Sequence, residues 1–330
     1  MTQTVIEARG LVKKYGDLEA VAGIDLEVRA GEIFGFLGPN GAGKSTTISM
    51  LCTLLTPTSG VARVAGSDVT QDPARVRQRI GLVFQDPSLD DQLTARENLE
   101  FHAFIYSVPA PDRRRRIDEM LGMMQLTDRG SSQVKTFSGG MKRRLEIARG
   151  MLHQPQILFL DEPTLGLDPQ TRLSIWTHLN ELRSRKGVTI FMTTHYMDEA
   201  EYCARIAIID HGKIVAVGTP EELKGKVGGD VVTITTSLPD DAAAEIEKLL
   251  KVKPLRDNGS LRMEVRDGKT FVPRLARELT APLDTVTLRR PSLDDVFLKL
   301  TGHAIRDEEA GSRDLNRAMA RRWMAGGRRR

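Results

Sequence analysis

Cysteine is scarce in this sequence: two in 330 residues, Cys52 and Cys203, too few for a disulfide framework. Both lie among apolar neighbours and are expected to pack as buried thiols in a reducing compartment. Nowhere do 18 apolar residues run together, so no segment is expected to span a bilayer. The opening MTQTVIEARG lacks the apolar run of a secretory signal. Charge of one sign is also lacking, with a net +4 for the whole chain. Residues 315–330, LNRAMARRWMAGGRRR, hold six arginines and no carboxylate, so the rest of the chain carries the +4 less this +6, or −2. That balance gives no reason to expect a nucleic-acid groove in the folded body. What remains, 40% hydrophobic and 28% charged, is an ordinary globular composition that excludes collagen, wholesale disorder and a disulfide scaffold.

At this length a single core would exceed the usual ceiling of roughly 250–300 residues, so two domains are expected. VIEARGLVKKYG and AVAGIDLEVRAGE alternate apolar with polar residues, as half-exposed antiparallel strands do. The run from Glu32 to Gly38 is more continuously apolar and predicts a buried strand, followed by a Gly-rich turn and a helix from Lys44 toward Pro57. Thr94 and Glu97 form a capping-box pattern before ENLEFHAFIYS, and RRRRIDEMLGMM predicts an amphipathic helix with its arginines outward. ILFLD (157–161) and TIFMTTH (189–195) are short apolar runs ending in polar groups, separated by a helical stretch over 170–185. That is the pattern of parallel strands with functional side chains at their C-terminal ends. A Gly/Lys-rich stretch near 224–230 reads as a linker. Beyond it, VVTITT, SLRMEV and TVTLRR read as strands and DDAAAEIEKLLK, KTFVPRLARELT and SLDDVFLKLTG as helices, a small α+β domain over 231–303. In the last helix, Ser292 is expected to cap an apolar face of Leu293, Val296, Phe297 and Leu300. From 304 onward the chain is polar and predicted to be a disordered basic tail.

The chemistry begins at Gly38-Pro39-Asn40-Gly41-Ala42-Gly43-Lys44-Ser45-Thr46, a G-x-x-x-x-G-K-S phosphate loop between an apolar strand and a helix. Its glycines let successive N–H groups turn toward phosphate oxygens, and the helix N-terminus adds a favourable dipole. Lys44 is placed to neutralise the β- and γ-phosphates, and the Ser45 hydroxyl to ligate Mg²⁺. Asp161 ends its strand as a second Mg²⁺ ligand, and the adjoining Glu162 is a candidate for polarising water in an in-line attack on the γ-phosphate.

Further segments resemble one family, the nucleotide-binding subunits of ABC transporters. Ser138-Gly139-Gly140-Met141 is similar to the family signature LSGGQ, with Phe137 and Met141 as departures. The serine and both glycines, which face phosphate in the family, are kept. The resemblance implies that this signature contacts ATP held by a second copy, giving a head-to-tail homodimer around two ATP molecules. Asp168, in Gly166-Leu167-Asp168, resembles the D-loop. His195 resembles the switch histidine, Gln85 the Q-loop glutamine that bridges Mg²⁺ or attacking water to the membrane domain, and Tyr15 the aromatic that stacks on adenine. The resemblance spans residues 5–225 and implies an ABC-type P-loop ATPase fold: a mixed sheet, an antiparallel β subdomain and a helical subdomain at about 88–155. ArgProSerLeuAspAspValPheLeu at 290–298 looks like a motif of daunorubicin-resistance-type export ATPases. The implied role is an ATP-hydrolysing subunit that powers export of a drug-like, lipid or other amphiphilic compound. It would act through a separate permease at the cytoplasmic face of the membrane, with the tail offering a contact for anionic lipid. The alternative is a non-transport relative in DNA repair or translation. The 94 positions from Lys44 to Ser138 carry no sustained heptads, and there is one phosphate loop, which disfavours both.

Overall fold

The alternating pattern at the N-terminus folds into two long antiparallel strands, β1 (Thr4–Tyr15) and β2 (Leu18–Arg29). In this computed structural model residues 3–257 and 260–301 are described, and the basic tail expected from 304 lies outside the described residues. The chain divides into two units, the first running through Val217 and the second starting at Gly218.

In the first unit, β3 (Ile33–Leu37) is buried at every residue, and α1 (Lys44–Leu51) follows the Gly-rich turn. Strands β4 (Ser59–Val64) and β5 (Ser67–Asp68) complete a four-stranded sheet in the order β2-β1-β4-β5. After α2 (Pro73–Arg79) and β6 (Ile80–Val83) come three helices, α3 (Ala95–Ile105), α4 (Ala110–Met123) and α5 (Gly139–Met151). The chain then alternates β7 (Ile157–Asp161), α6 (Pro169–Lys186), β8 (Thr189–Thr194), α7 (Met197–Ala200) and β9 (Arg205–Asp210), and ends on β10 (Lys213–Gly218). The second sheet has the order β10-β9-β3-β8-β7-β6, with β9, β3, β8, β7 and β6 pairing in parallel. Continuously apolar strands suit this position because both faces of the sheet are covered. Phe191 lies at the centre, its ring centroid 5.4–5.7 Å from those of Phe34, Phe36 and Phe159. The parallel order puts the C-terminal ends of β3, β6, β7 and β8 at one edge, where ligands of open α/β sheets bind. Both cysteines are free and buried, as the sequence predicts.

Local signals explain several boundaries. Thr94 and Glu97 make the expected reciprocal capping box at the start of α3. Helix α1 stops well short of Pro57. Thr53 adopts a left-handed φ of 64°, and the N–H groups of Leu54 and Leu55 fold back onto the Ser49 carbonyl. An apolar run cannot signal such a turn.

The second unit opens with α8 (Pro220–Val227), where the sequence reads as a linker from 224. Thr219 and Glu222 cap this helix reciprocally, Leu223 is fully buried, and the helix packs against α11 (Leu293–Thr301). Lys224, Gly225 and Lys226 sit together on this short amphipathic helix, which mimics linker composition. Between them lie β11 (Asp230–Thr235), α9 (Pro239–Glu245), β12 (Leu255–Asp257), β13 (Ser260–Val265), α10 (Gly268–Glu278) and β14 (Thr285–Arg289). The strands form one sheet, β12-β13-β11-β14, packed on Ala242, Ile246, Leu250 and Leu275. Three of the four strands are those read from the sequence; β12 is too short to show a period. In α11, Ser292 accepts the Asp295 N–H at 3.3 Å, and Leu293, Val296 and Phe297 are buried. Leu300 departs from the expected apolar face and is 41% exposed.

Candidate nucleotide site

The phosphate loop leaves the end of β3 with its backbone packed against neighbouring strands. A Cβ on Gly38 would sit 2.3 Å from the Ile209 carbonyl oxygen, and one on Gly43 would sit 2.5 Å from that of Ala20. Gly43 also has φ of +105°, so two separate reasons exclude a side chain there. Gly43 is the N-cap of α1 and supplies no side-chain cap, so the helix presents its opening N–H groups without an internal acceptor. That is the physical makeup of an anion site. Lys44, 5% exposed, curls back over this loop: its Nζ donates to the carbonyls of Gly38 (2.8 Å) and Pro39 (3.1 Å) and lies 3.2 Å from Glu162 Oε1. Burial lowers the Lys44 pKa, and the neighbouring Glu162 and Asp161 carboxylates partly offset this.

Strands β7 and β8 bring the acidic pair to the loop. Asp161 Oδ1 accepts from Thr193 Oγ1 at 2.5 Å and from Ser45 Oγ at 3.2 Å. Burial raises the Asp161 carboxyl above its ordinary range, against the pull of those two hydroxyls and Lys44. Glu162 has φ of +45°, a left-handed conformation uncommon outside glycine that costs about 1–3 kcal/mol. Both sides of the residue are pinned: its N–H donates to Thr193 Oγ1 at 3.0 Å and its carbonyl accepts from Arg143 Nη2 at 3.1 Å. Its carboxylate lies 3.3 Å from His195 Nδ1, close but off the axis of a good hydrogen bond. Burial works to raise the Glu162 pKa, and His195 together with Lys44 outweighs it, leaving the group below its ordinary value.

Two carboxylates therefore face one ammonium in a buried cluster, a charge balance with room for a cation. The Ser45 hydroxyl and Asp161 carboxylate are hard oxygen donors in contact with each other. No cluster of three or more His, Cys, Asp or Glu side chains suited to a metal exists among the described residues. This donor set fits Mg²⁺, which is held by one or two protein oxygens together with phosphate and water.

The other expected residues fall into two groups. Tyr15, at the end of β1, is 40% exposed, with its hydroxyl near the Thr46 side chain on α1 at the lip of the loop. Gln85 follows β6, beside the end of β7, with its side chain exposed and its carbonyl accepting from Arg143 Nη2 at 3.2 Å. The signature is elsewhere. Ser138 is the N-cap of α5 and accepts the Met141 N–H at 3.3 Å, with Gly139 and Gly140 in the first turn. A Cβ on Gly140 would sit 2.3 Å from Thr171 Cγ2, so α5 begins in tight contact with α6. Asp168 caps α6, accepting the Thr171 N–H at 2.9 Å. Signature and D-loop thus form a cluster of their own, built on two helix N-termini.

Sequence reasoning misses the groups that hold this site in place. Thr193 anchors both acids through one hydroxyl, and only its position at a strand end hints at it. Glu199 is buried on α7 and accepts from Thr194 Oγ1 at 2.8 Å and from Thr164, tying the segment after His195 to the segment after Glu162. Arg143, Glu146 and Arg149 are buried charges spaced by three along α5, a stripe that could have been noticed against the apolar Leu145, Ile147 and Ala148.

Comparison with known proteins agrees with this geometry. Residues 21–165 match the family described as ABC transporter, and residues 218–301 match the C-terminal domain of DrrA1-3-like ATP-binding proteins. The chain is 44% identical over 322 residues to the daunorubicin/doxorubicin resistance ATP-binding protein DrrA of Streptomyces peucetius, covering 94% of this chain and 97% of that one. Among solved structures, cbiO1 of Clostridium perfringens, part of an ABC transporter complex, aligns with a TM-score of 0.63 at 30% identity, over 67% of this chain and 90% of that one. The dimeric cassette MJ0796 bound to ADP and Pi aligns with a TM-score of 0.59 at 29% identity, over 65% of this chain and 98% of that one. The chain belongs to the ATP-hydrolysing subunits of ABC transporters, in the branch of the daunorubicin-resistance DrrA proteins.

Proposed function

We propose that two copies of this chain close head to tail on two ATP molecules, and that Glu162 of each acts as the general base for hydrolysis. The cycle would drive a separate permease that exports an amphiphilic compound. The observation that carries this reading is the strained, doubly pinned Glu162 set against Lys44 and His195. A residue is held in such a conformation only where its surroundings over-determine it. The N–H groups opening α1 receive the phosphates, and Tyr15 stacks on the base. Lys44 turns from the Gly38 and Pro39 carbonyls to the β- and γ-phosphates. That exchange removes a cation from Glu162 and sets phosphate charge beside it, raising its pKa toward a value useful for accepting a proton from water. His195 orients toward the γ-phosphate side of Glu162. Ser45, Asp161 and Gln85 would hold Mg²⁺, which neutralises charge on the phosphates when bound. Ser138, Gly139, Gly140 and Met141 of one copy would cap the ATP of the other, with Asp168 at the dimer seam.

The permease reading rests on exposed apolar side chains, one of them, Phe84, adjoining Gln85 in the chain. Phe101, Phe104, Ile105 and Tyr106 on and just after α3 are exposed, as is Phe84. Clustered exposed aromatics of this kind mark interaction sites. No described helix is long and apolar enough to cross a membrane, so the path for cargo would belong to a partner. The chain would lie at the cytoplasmic face, and its basic tail would add contact with anionic lipid. The relatives' association with daunorubicin and doxorubicin resistance favours a drug-like cargo. Phe104→Asp tests the docking surface: release of the chain from permease-containing membranes is expected, with ATP binding in solution within about twofold of the parent because the side chain is exposed. Retention on the membrane would exclude this surface. The enzymatic core of the reading is tested by phosphate release from MgATP by the purified chain.

A further inference from the structure

Arg143 joins three segments: its own helix α5, the peptides around Phe84 and Gln85, and Glu162. Its Nη1 donates to the Phe84 carbonyl at 2.6 Å and lies 3.2 Å from Glu146 Oε2. Its Nη2 donates to the Gln85 carbonyl at 3.2 Å and to the Glu162 carbonyl at 3.1 Å. The guanidinium is 7% exposed and Glu146 is fully buried, so this is an interior network. Glu146 Oε1 accepts the Ser88 N–H at 2.9 Å. Arg149, one turn further, donates to the Ser88 carbonyl at 2.8 Å and to Ser88 Oγ at 2.7 Å. One stripe of α5 thus grips both ends of the Phe84–Ser88 segment and, through Arg143 alone, the backbone of Glu162.

Glu162 adopts a left-handed conformation that its own side chain does not favour. Thr193 holds its N–H, and Arg143 holds its carbonyl. Without the second restraint the peptide after Glu162 is free to relax, and the carboxylate moves with it. The same guanidinium fixes the peptides flanking Gln85. The rigid planar fork donates from two separate nitrogens to carbonyls on either side, a geometry that a single ammonium nitrogen does not reproduce.

We propose that Arg143 is a positioning residue for hydrolysis: from the signature helix it sets the backbone of Glu162 and of Gln85 together, with Glu146 as its counter-ion. Ordering of the α5 N-terminus, where Ser138 lies, is thereby coupled to placement of the base. This rests on the reading of Glu162 as the base.

The test measures steady-state ATP hydrolysis, ATP affinity and thermal unfolding for the full chain and for Arg143→Met, Arg143→Lys and Arg116→Met. Arg116 is a matched control, since it donates to the Leu152 carbonyl at 3.2 Å near the other end of α5 and not to the Phe84, Gln85 or Glu162 carbonyls. Misplacement of a reacting group by about 1 Å costs up to roughly 100-fold. Arg143→Met is expected to lower kcat by about 10- to 100-fold with KM for ATP within about threefold, and Arg143→Lys to recover only part of the loss. Arg116→Met should unfold earlier yet keep its kcat within about twofold. Unchanged kcat in Arg143→Met, or full recovery with lysine, overturns the proposal. So does a kcat loss in Arg116→Met as large as that in Arg143→Met, because it would assign the effect to the stability of α5. If Glu162→Gln in parallel kept full activity, the reading of the base would fail instead, so the two failures are distinguishable.

Discussion

Glu162→Gln lowers ATP turnover by about 100-fold or more while leaving ATP affinity within a few fold of the parent chain. The amide keeps nearly the size and shape of the carboxylate, so packing against Lys44 and His195 is preserved. It cannot accept a proton from water, and removal of a positioned general base costs on the order of 10²–10⁴ in rate. The substitution also takes away a negative charge facing the phosphates, so binding is kept or tightened. Single-turnover phosphate release and equilibrium nucleotide binding, measured on the same preparation, separate these effects. A parallel fall in both would mean that the change damages the loop instead of the chemistry.

Lys44→Met is expected to act on the opposite step. Lys44 Nζ has two carbonyls and one carboxylate as partners before nucleotide arrives, and phosphate oxygens replace them afterwards. Removing one partner of a buried, hydrogen-bonded charge pair costs about 2–5 kcal/mol, or roughly 30-fold to several-thousand-fold in Kd. ATP affinity should fall by that factor when followed by titration calorimetry. Folding should be affected less, because the substitution removes the desolvation cost of Lys44 as well as its contact with Glu162. An affinity within threefold of the parent would exclude Lys44 from the phosphate site.

Much of the site was legible because its chemistry is written contiguously. The phosphate loop needs glycines and a lysine at fixed spacing, since backbone N–H groups from successive residues must converge on one anion. Asp161, Glu162 and His195 could be read because each terminates an apolar run, and parallel strands align such ends at one edge. Arg143 could not be read in the same way: three of its four partners are carbonyls, which have no identity in sequence. The strain at Glu162 was equally hidden, because a φ of +45° at a glutamate is imposed by its surroundings. In the second unit the same limit applies to shorter elements. The helix around Leu223 is anchored by the buried Leu223 and Pro220, and its lysines and glycine outweigh that signal in composition.

The two clusters, each incomplete in one copy, bear on how two copies would meet. Ser138 and Asp168 form helix N-termini that adjoin each other, and the phosphate loop has its own acids and base. Two copies facing head to tail would complete both clusters on shared ATP. The decisive measurement is the solution mass of the Glu162→Gln chain with and without MgATP, alone and combined with Ser138→Arg. The account predicts that mass doubles on addition of MgATP and that Ser138→Arg, which places a bulky cation at the start of α5, abolishes the doubling without preventing ATP binding. A chain that stays at its original mass with ATP saturating, or doubles equally with Ser138→Arg, would contradict it.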